Sequence, residues 1–245
     1  MKLISLNTWC GIKYEALIKF IEVQSKEADI FCFQEIRNGK YFNQSELAEE
    51  RINLFHELEK ILSNFNSYYT EMVPGVGIAS FVRKNIEVKK IISTQILMAK
   101  EIEHLAMPNG NSYYPRLMQS LYFKNNNLIV HNFHGIPGNS KGDTPERGLQ
   151  TKRLLEIVNT TDAPQIIVGD FNLDMNTESV SKLSERMINL VKVGGFKTTR
   201  NSNYNKIESL PFADYAFVTK DILVEKFEVL SDVVSDHLAL ALSFK

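Results

Sequence analysis

The chain has 245 residues, 44% of them hydrophobic and 23% charged, with 28 basic against 29 acidic side chains for a net charge of -1. That apolar share excludes a disordered chain, and no run reaches the ~18 apolar residues that a membrane-spanning helix needs. The charge balance lacks the basic excess with which proteins coat nucleic acid, although it leaves room for local contacts to a few phosphates.

The opening Met1–Cys10 is too short and too polar for a signal peptide, so a cytoplasmic globular monomer is the default expectation. Lys2–Leu6 reads as a short strand. Ile12–Ala28 follows with Leu17, Ile21 and Ala28 on one helical face. Asp29–Gln34 is a continuous apolar run of strand length, in which Cys32 reads as a small buried hydrophobe. Neither Cys32 nor Cys10 sits in a zinc spacing, and a chain this long has no need of a disulfide scaffold. Leu47–Leu62 again carries a helical pattern.

The middle of the chain is strand-like over Ile78–Arg83, Val88–Ile96 and Leu117–Lys124, and a turn at Asn125–Asn127 returns it into Leu128–His134. Thr144 followed by Pro145 predicts a capped helix to about Val158. Gln165–Asp170 is a buried strand, Ser181–Leu190 a helix, and Phe212–Thr219, Leu223–Leu230 and Leu238–Phe244 are strands. No repeat or linker divides the chain, so one domain over residues 1–245 is expected. Strands outnumber helices and several are hairpin-linked. The pattern therefore predicts an α/β fold with two packed sheets and helices outside.

Six of these segments meet an amide, acid or imidazole at one end. Lys2–Leu6 runs into Asn7 and Ile30–Gln34 into Glu35, while Leu128–Val130 continues through Asn132 to His134. Ile166–Val168 ends in Gly169-Asp170-Phe171-Asn172, Asp214 sits in Phe212–Val218, and Asp236-His237 opens the last strand. Each residue alone has a plain explanation as a turn former or a solvated strand end; together they mark one sheet rim as a site. Asp170 and Asn172 share a face if the chain stays extended. Asp236 and His237 need a bend to do so, and Val233-Val234-Ser235 carries no strong turn signal.

Carboxylates and an amide oxygen are hard ligands suited to Mg²⁺ or Mn²⁺, and histidines beside such a metal can donate to the charge that grows on a phosphoryl group. Asp214 is a candidate for holding one histidine in its tautomer. Phosphoester hydrolysis uses this whole set.

The ordered motifs Gln34-Glu35, Asn132-Phe133-His134-Gly135, Gly169-Asp170-Phe171-Asn172, Asp214-Tyr215 and Ser235-Asp236-His237 resemble the endonuclease/exonuclease/phosphatase superfamily, the DNase I-like enzymes, over almost the whole chain. The resemblance implies a four-layer α/β sandwich of two mixed sheets flanked by helices. It implies Glu35 as principal metal carboxylate, with Asn7 and Asp236 completing or supporting the site. Asp170 resembles the acid that orients or deprotonates the attacking water, with Asn172 positioning it or the phosphate. His134 resembles a donor to a phosphate oxygen, and His237 a second histidine paired with Asp214. Whether Asp170 or His237 is the base stays open at this level.

The implied cofactor is Mg²⁺ or Mn²⁺ and the implied partner a phosphoester, with phosphodiesters of DNA or nucleotide type first. Small-molecule or lipid-headgroup esters come second, and a non-catalytic binding module on the same fold third. The glycine-rich loop Gly135–Arg147 is expected to border the cleft and to set specificity through Lys141 or Arg147. Arg37, two residues after Glu35, is a further phosphate-contact candidate. Arg116 and Lys13 read rather as surface or strand-edge charges.

Overall fold

The computed structural model describes residues 1–39, 49–102, 114–138 and 140–245. Among them, strands β1 (Lys2–Asn7), β2 (Ile30–Arg37), β3 (Phe65–Val73) and β4 (Val76–Arg83) join two late strands in one sheet. Those two are β11 (Val224–Val229) and β12 (Leu240–Phe244), and the sheet order is β11-β12-β1-β2-β4-β3. The second sheet contains β5 (Val88–Leu97), β6 (Arg116–Phe123), β7 (Ile129–His134), β8 (Gln165–Asp170), β9 (Ile188–Asn189) and β10 (Asp214–Val218). Its order is β5-β6-β7-β8-β10-β9. Both sheets are mixed, because β1 with β2 and β7 with β8 are parallel and the other pairs antiparallel.

Helices α1 (Tyr14–Gln24) and α2 (Leu54–Ile61) cover the first sheet. Leu17, Phe20 and Ile21 of α1 and Leu54, Phe55 and Leu58 of α2 pack on Ile4, Phe31, Phe33 and Phe81. The alternate residues Leu3, Ile30, Cys32 and Val82 face a second core shared with the other sheet. The period of two thus feeds successive residues of one strand to two different cores. Helices α4 (Pro145–Val158) and α5 (Glu178–Arg186) lie on the second sheet, burying Leu154, Val158, Val180 and Leu183. Two four-residue helices, α3 (Ala99–Ile102) and α6 (Leu190–Val193), complete the α-helices among the described residues, and a short 3-10 helix spans Trp9–Gly11. The result is the expected four-layer sandwich of two packed mixed sheets.

Most expected elements appear, with differences that have local causes. The Thr144 hydroxyl caps α4 by accepting from Arg147 N, and Pro145 fits its first turn. The helix expected from Leu47 begins at Leu54 among the described residues; Leu47 itself lies outside them. Helix α5 starts earlier than expected, because Thr177 caps it, and ends at Arg186, where Met187 turns extended into β9. Strand β3 has no counterpart among the elements expected from the sequence. Its mixed Phe65-Asn66-Ser67-Tyr68-Tyr69 pattern belongs to a half-buried edge strand, which lacks both a continuous apolar run and clean alternation.

Candidate active site

The two parallel pairs carry the C-terminal ends of β1, β2, β7 and β8 to one rim, which gathers Asn7, Glu35, His134 and Asp170. Strand β10 runs antiparallel to β8 with Asp214 opposite Asp170, so its first residue meets the same rim. Asn132 ties the sheets together beneath it. Its Nδ2 donates to the carbonyls of Phe33 and Ala79 at 3.2 and 3.0 Å, while Gln34 Nε2 donates to its Oδ1 at 2.7 Å.

Irregular backbone aims the side chains. Glu35 has φ 55° and sits in a bulge between β2 and β4, which turns its carboxylate to the cleft before the pairing resumes at Ile36. Gly169 has φ +139°, and a Cβ there would lie 1.9 Å from the Phe133 carbonyl oxygen, so only glycine lets β8 come this close to β7. Asn172, at φ 56°, leaves the extended path and instead donates its backbone N–H to Asp170 Oδ1 at 2.8 Å. The bend needed by Asp236 and His237 exists: the final strand begins at Leu240, not Leu238, and His237 N donates to Ser235 Oγ at 3.2 Å.

Asp170 is the hub. Its Oδ2 accepts from Asn7 Nδ2 at 3.1 Å and lies 3.7 Å from Nε2 of both His134 and His237. His237 Nδ1 is bonded to Asp214 Oδ2 at 2.8 Å, leaving Nε2 turned to the site. Burial works against a charged His237, but Asp214, aided by Asp236 and Asp170, outweighs it and pushes the imidazole up to about 9. For the His237–Asp214–Asp170 group this places the proton on the histidine, and Asp170 is held below the usual carboxylate range despite its burial. His134 behaves oppositely. Burial, then the nearby Arg116 charge, drives it down to about 3, so it is a neutral donor.

Glu35 is raised by burial and by the Asp236 charge, the signature of carboxylates gathered without a counter-cation. Ligand atoms of Glu35, His134 and Asp170 lie within 4.8 Å of one another, as do those of Asp170, Asp214 and His237. With the Asn7 amide beside them, these oxygens fit a hard divalent cation. Asp236 stands at the same place with its own partners: Arg200 Nη1 donates to its Oδ2 at 2.9 Å.

Arg200 joins the site without any motif in the sequence to mark it. It lies in a polar stretch without strand or helix period, is buried, stacks on Tyr204 at 3.8 Å and pairs its backbone with that of His237 in an isolated antiparallel β-bridge. The other candidates are placed as follows. Lys141 is buried and donates to Asn172 Oδ1; burial pulls its ammonium down to about 8. Arg147 donates to the carbonyls of Gly142 and Ser140 at 2.6 and 2.8 Å, which bind its own loop together. Asn139 of that loop lies outside the described residues. Arg37 is buried at the end of β2 with Nη1 3.3 Å from Glu50 Oε2. Lys13 is exposed as expected, whereas Arg116, expected at the surface or a strand edge, is 0% exposed.

No curated protein matches the chain in sequence. Among solved structures, an endonuclease/exonuclease/phosphatase from Bacteroides vulgatus is similar with a TM-score of 0.76 at 16% identity, over 100% of this chain and 98% of that one. A mannosyl-6-phosphatase of Bacteroides thetaiotaomicron matches with a TM-score of 0.74 at 15% identity, covering 100% and 99%. The catalytic domain of human Nocturnin with bound sulfate matches at 0.64 and 17%, covering 100% and 93%. These likenesses share the fold that in this chain brings five strand ends, and the segment before β12, to one rim. The model of the Endonuclease/Exonuclease/phosphatase family matches residues 4–237, which spans every one of those strand ends, and the chain belongs to that family.

Proposed function

We propose that residues 1–245 form one catalytic domain, a divalent-metal-dependent phosphoesterase acting on phosphodiester bonds of nucleotide-type substrates. The observation that carries the reading is the setting of Asp170: an ionised carboxylate fixed by Asn7 and Asn172, between a neutral histidine and a protonated one. Glu35 and Asn7 would hold Mg²⁺ or Mn²⁺, with Asp236 in support. The metal would supply Lewis-acid stabilisation of phosphoryl charge.

In this reading Asp170 orients the attacking water and takes its proton, because the His237 imidazole already carries one. His237 donates from Nε2 to a phosphoryl oxygen, with Asp214 holding its Nδ1–H. His134 donates to another oxygen, and Asn172, steadied by Lys141, positions the group. Arg147 contributes through the loop it ties together, and Arg37 by flanking Glu35.

The burial of these residues also favours a second reading, a compact phosphate ester such as a sugar or nucleotide phosphate, over a long duplex. Hydrolysis of supercoiled DNA, an abasic-site duplex, bis-p-nitrophenyl phosphate and small phosphomonoesters, with Mg²⁺ or Mn²⁺ and an EDTA control, separates the two. EDTA-sensitive turnover that disappears in His237→Ala is expected. Metal binding without turnover of any phosphoester would overturn the catalytic reading.

A further inference from the structure

Two groups of side chains in the cleft have ligand atoms close enough to share a divalent ion: Glu35 with His134 and Asp170, and Asp170 with Asp214 and His237. Their charge surroundings differ. Among the described residues no lysine or arginine pairs with Glu35, whose ionic contact is the neutral His134 ring, Nε2 to Oε1, at 3.7 Å. Carboxylates left this way repel one another until a cation arrives.

The second group already holds cations of its own. Lys141 is 4% exposed, and its Nζ donates to Asn172 Oδ1. Asn172 in turn gives its backbone N–H to Asp170 Oδ1 at 2.8 Å, so the ammonium stands one residue away from the hub carboxylate. Burial works against that ammonium; Asp170 is the first charge acting to keep it, and Asp214 acts in the same sense. The lysine is fixed at its main chain too, because Asp174 N donates to its carbonyl at 2.8 Å. Arg200, also buried, bonds Asp236 Oδ2 at 2.9 Å, and Asp170, Asp214 and Asp236 together sustain its charge against burial. His237 Nδ1 and Asp214 Oδ2 are spent on each other at 2.8 Å.

A buried lysine is costly unless its charge is answered, and here an amide oxygen and nearby acids answer it. Oxygens of that kind are also what a hard divalent ion would need. An ammonium and a divalent ion competing for them exclude each other by like-charge repulsion, which is strong where water is absent.

We propose that Lys141 is a built-in cation standing where a second divalent ion would otherwise sit, with Arg200 in support, so that this chain takes a single divalent ion, at Glu35. The inference rests on the metal-dependent reading above and adds to it the number of ions and the reason for that number. A lysine cannot be stripped by chelation or leave with product, so this half of the site stays charged at any metal concentration.

The experiment counts bound Mn²⁺ at neutral pH from the electron paramagnetic resonance signal of the free ion. The proteins are wild type, Glu35→Ala, Lys141→Arg, Lys141→Gln and Lys141→Ala. Wild type and Lys141→Arg should bind one ion per chain, and Glu35→Ala none. Lys141→Gln keeps a donor for Asn172 without the charge; in it and in Lys141→Ala the count should double to two. A lysine that only holds its loop would leave the count at one in every Lys141 variant that folds. Two ions on wild type, one on both neutral variants, or failure of both neutral variants to fold would each overturn the proposal and leave the metal reading standing. No ion on wild type would overturn that reading and this one with it.

Discussion

The amide of Asn7 donates to the carboxylate of Asp170 at 3.1 Å, joining the last residue of a central strand in one sheet to that of a central strand in the other. The bond does two things. It locks the sheets at the rim, and it fixes the oxygen that both histidines face. Losing one preorganised partner in a buried site costs roughly 10²–10³ in turnover. Asn7→Ala should therefore lower kcat by about that factor in steady-state assays with a small diester. An unchanged kcat would separate Asn7 from the chemistry.

Glu35 sits with its carboxyl raised by burial and by Asp236, so the metal-free protein gains little from it. Glu35→Ala should leave the melting temperature in EDTA equal or higher and abolish the increase that Mg²⁺ gives the wild type. Calorimetric titration with Mg²⁺ is the direct check, and wild-type affinity in the variant would remove Glu35 from the metal site.

In the metal-free protein the His237 imidazole, pushed up to about 9, should fall markedly in Asp214→Asn, because the neighbouring charge that outweighs burial is gone. Imidazole resonances followed through a pH titration would show it. The folded value lies above the unfolded one of about 6.5, so this group stabilises fully below about 6.5. That contribution disappears as pH rises through about 9, and Asp214→Asn should flatten the loss.

His131 carries the opposite sign. It is buried between Ser120 Oγ at 2.7 Å and Gln165 Oε1 at 3.1 Å, and burial pushes it down to about 4. Its contribution is present above about 6.5 and lost as pH falls toward about 4, on the order of 3 kcal/mol across that interval. Urea denaturation over this range should show His131→Gln less stable at neutral pH but with a shallower acid slope than the wild type.

Gly169→Ala tests the close approach of β7 and β8. With φ +139° and a Cβ site 1.9 Å from the Phe133 carbonyl oxygen, the substitution should cost more than about 3 kcal/mol in chemical denaturation. A loss under about 1 kcal/mol would mean that the strands can separate without penalty.

Much of this was legible in the amino-acid order. Apolar runs that stop at Asn7, Glu35, His134 and Asp170 mark buried strands with chemistry at their ends, and continuous runs are what a two-sheet interior requires. The Thr144-Pro145 cap was equally plain, because capping is a local interaction between adjacent residues. Strand β3 was not legible, since a half-buried edge strand leaves only a weak pattern.

Within the site, residue identities were local information and their partners were not. Asp170 as an acid that acts on the attacking water is what its motif implies; that Asn7 holds one of its oxygens depends on how the β1/β2 and β7/β8 pairs stack. Nothing near Arg200 or Arg116 in the sequence distinguishes a guanidinium paired with Asp236 from one buried without a hydrogen-bond partner among the described residues. The sequence determined where the buried strands run and which chemical groups they end on, because hydrophobic period and capping act over a few residues. Only the tertiary structure decided which charges meet and which donors go unanswered, because electrostatics and burial act through space between strands far apart in the chain.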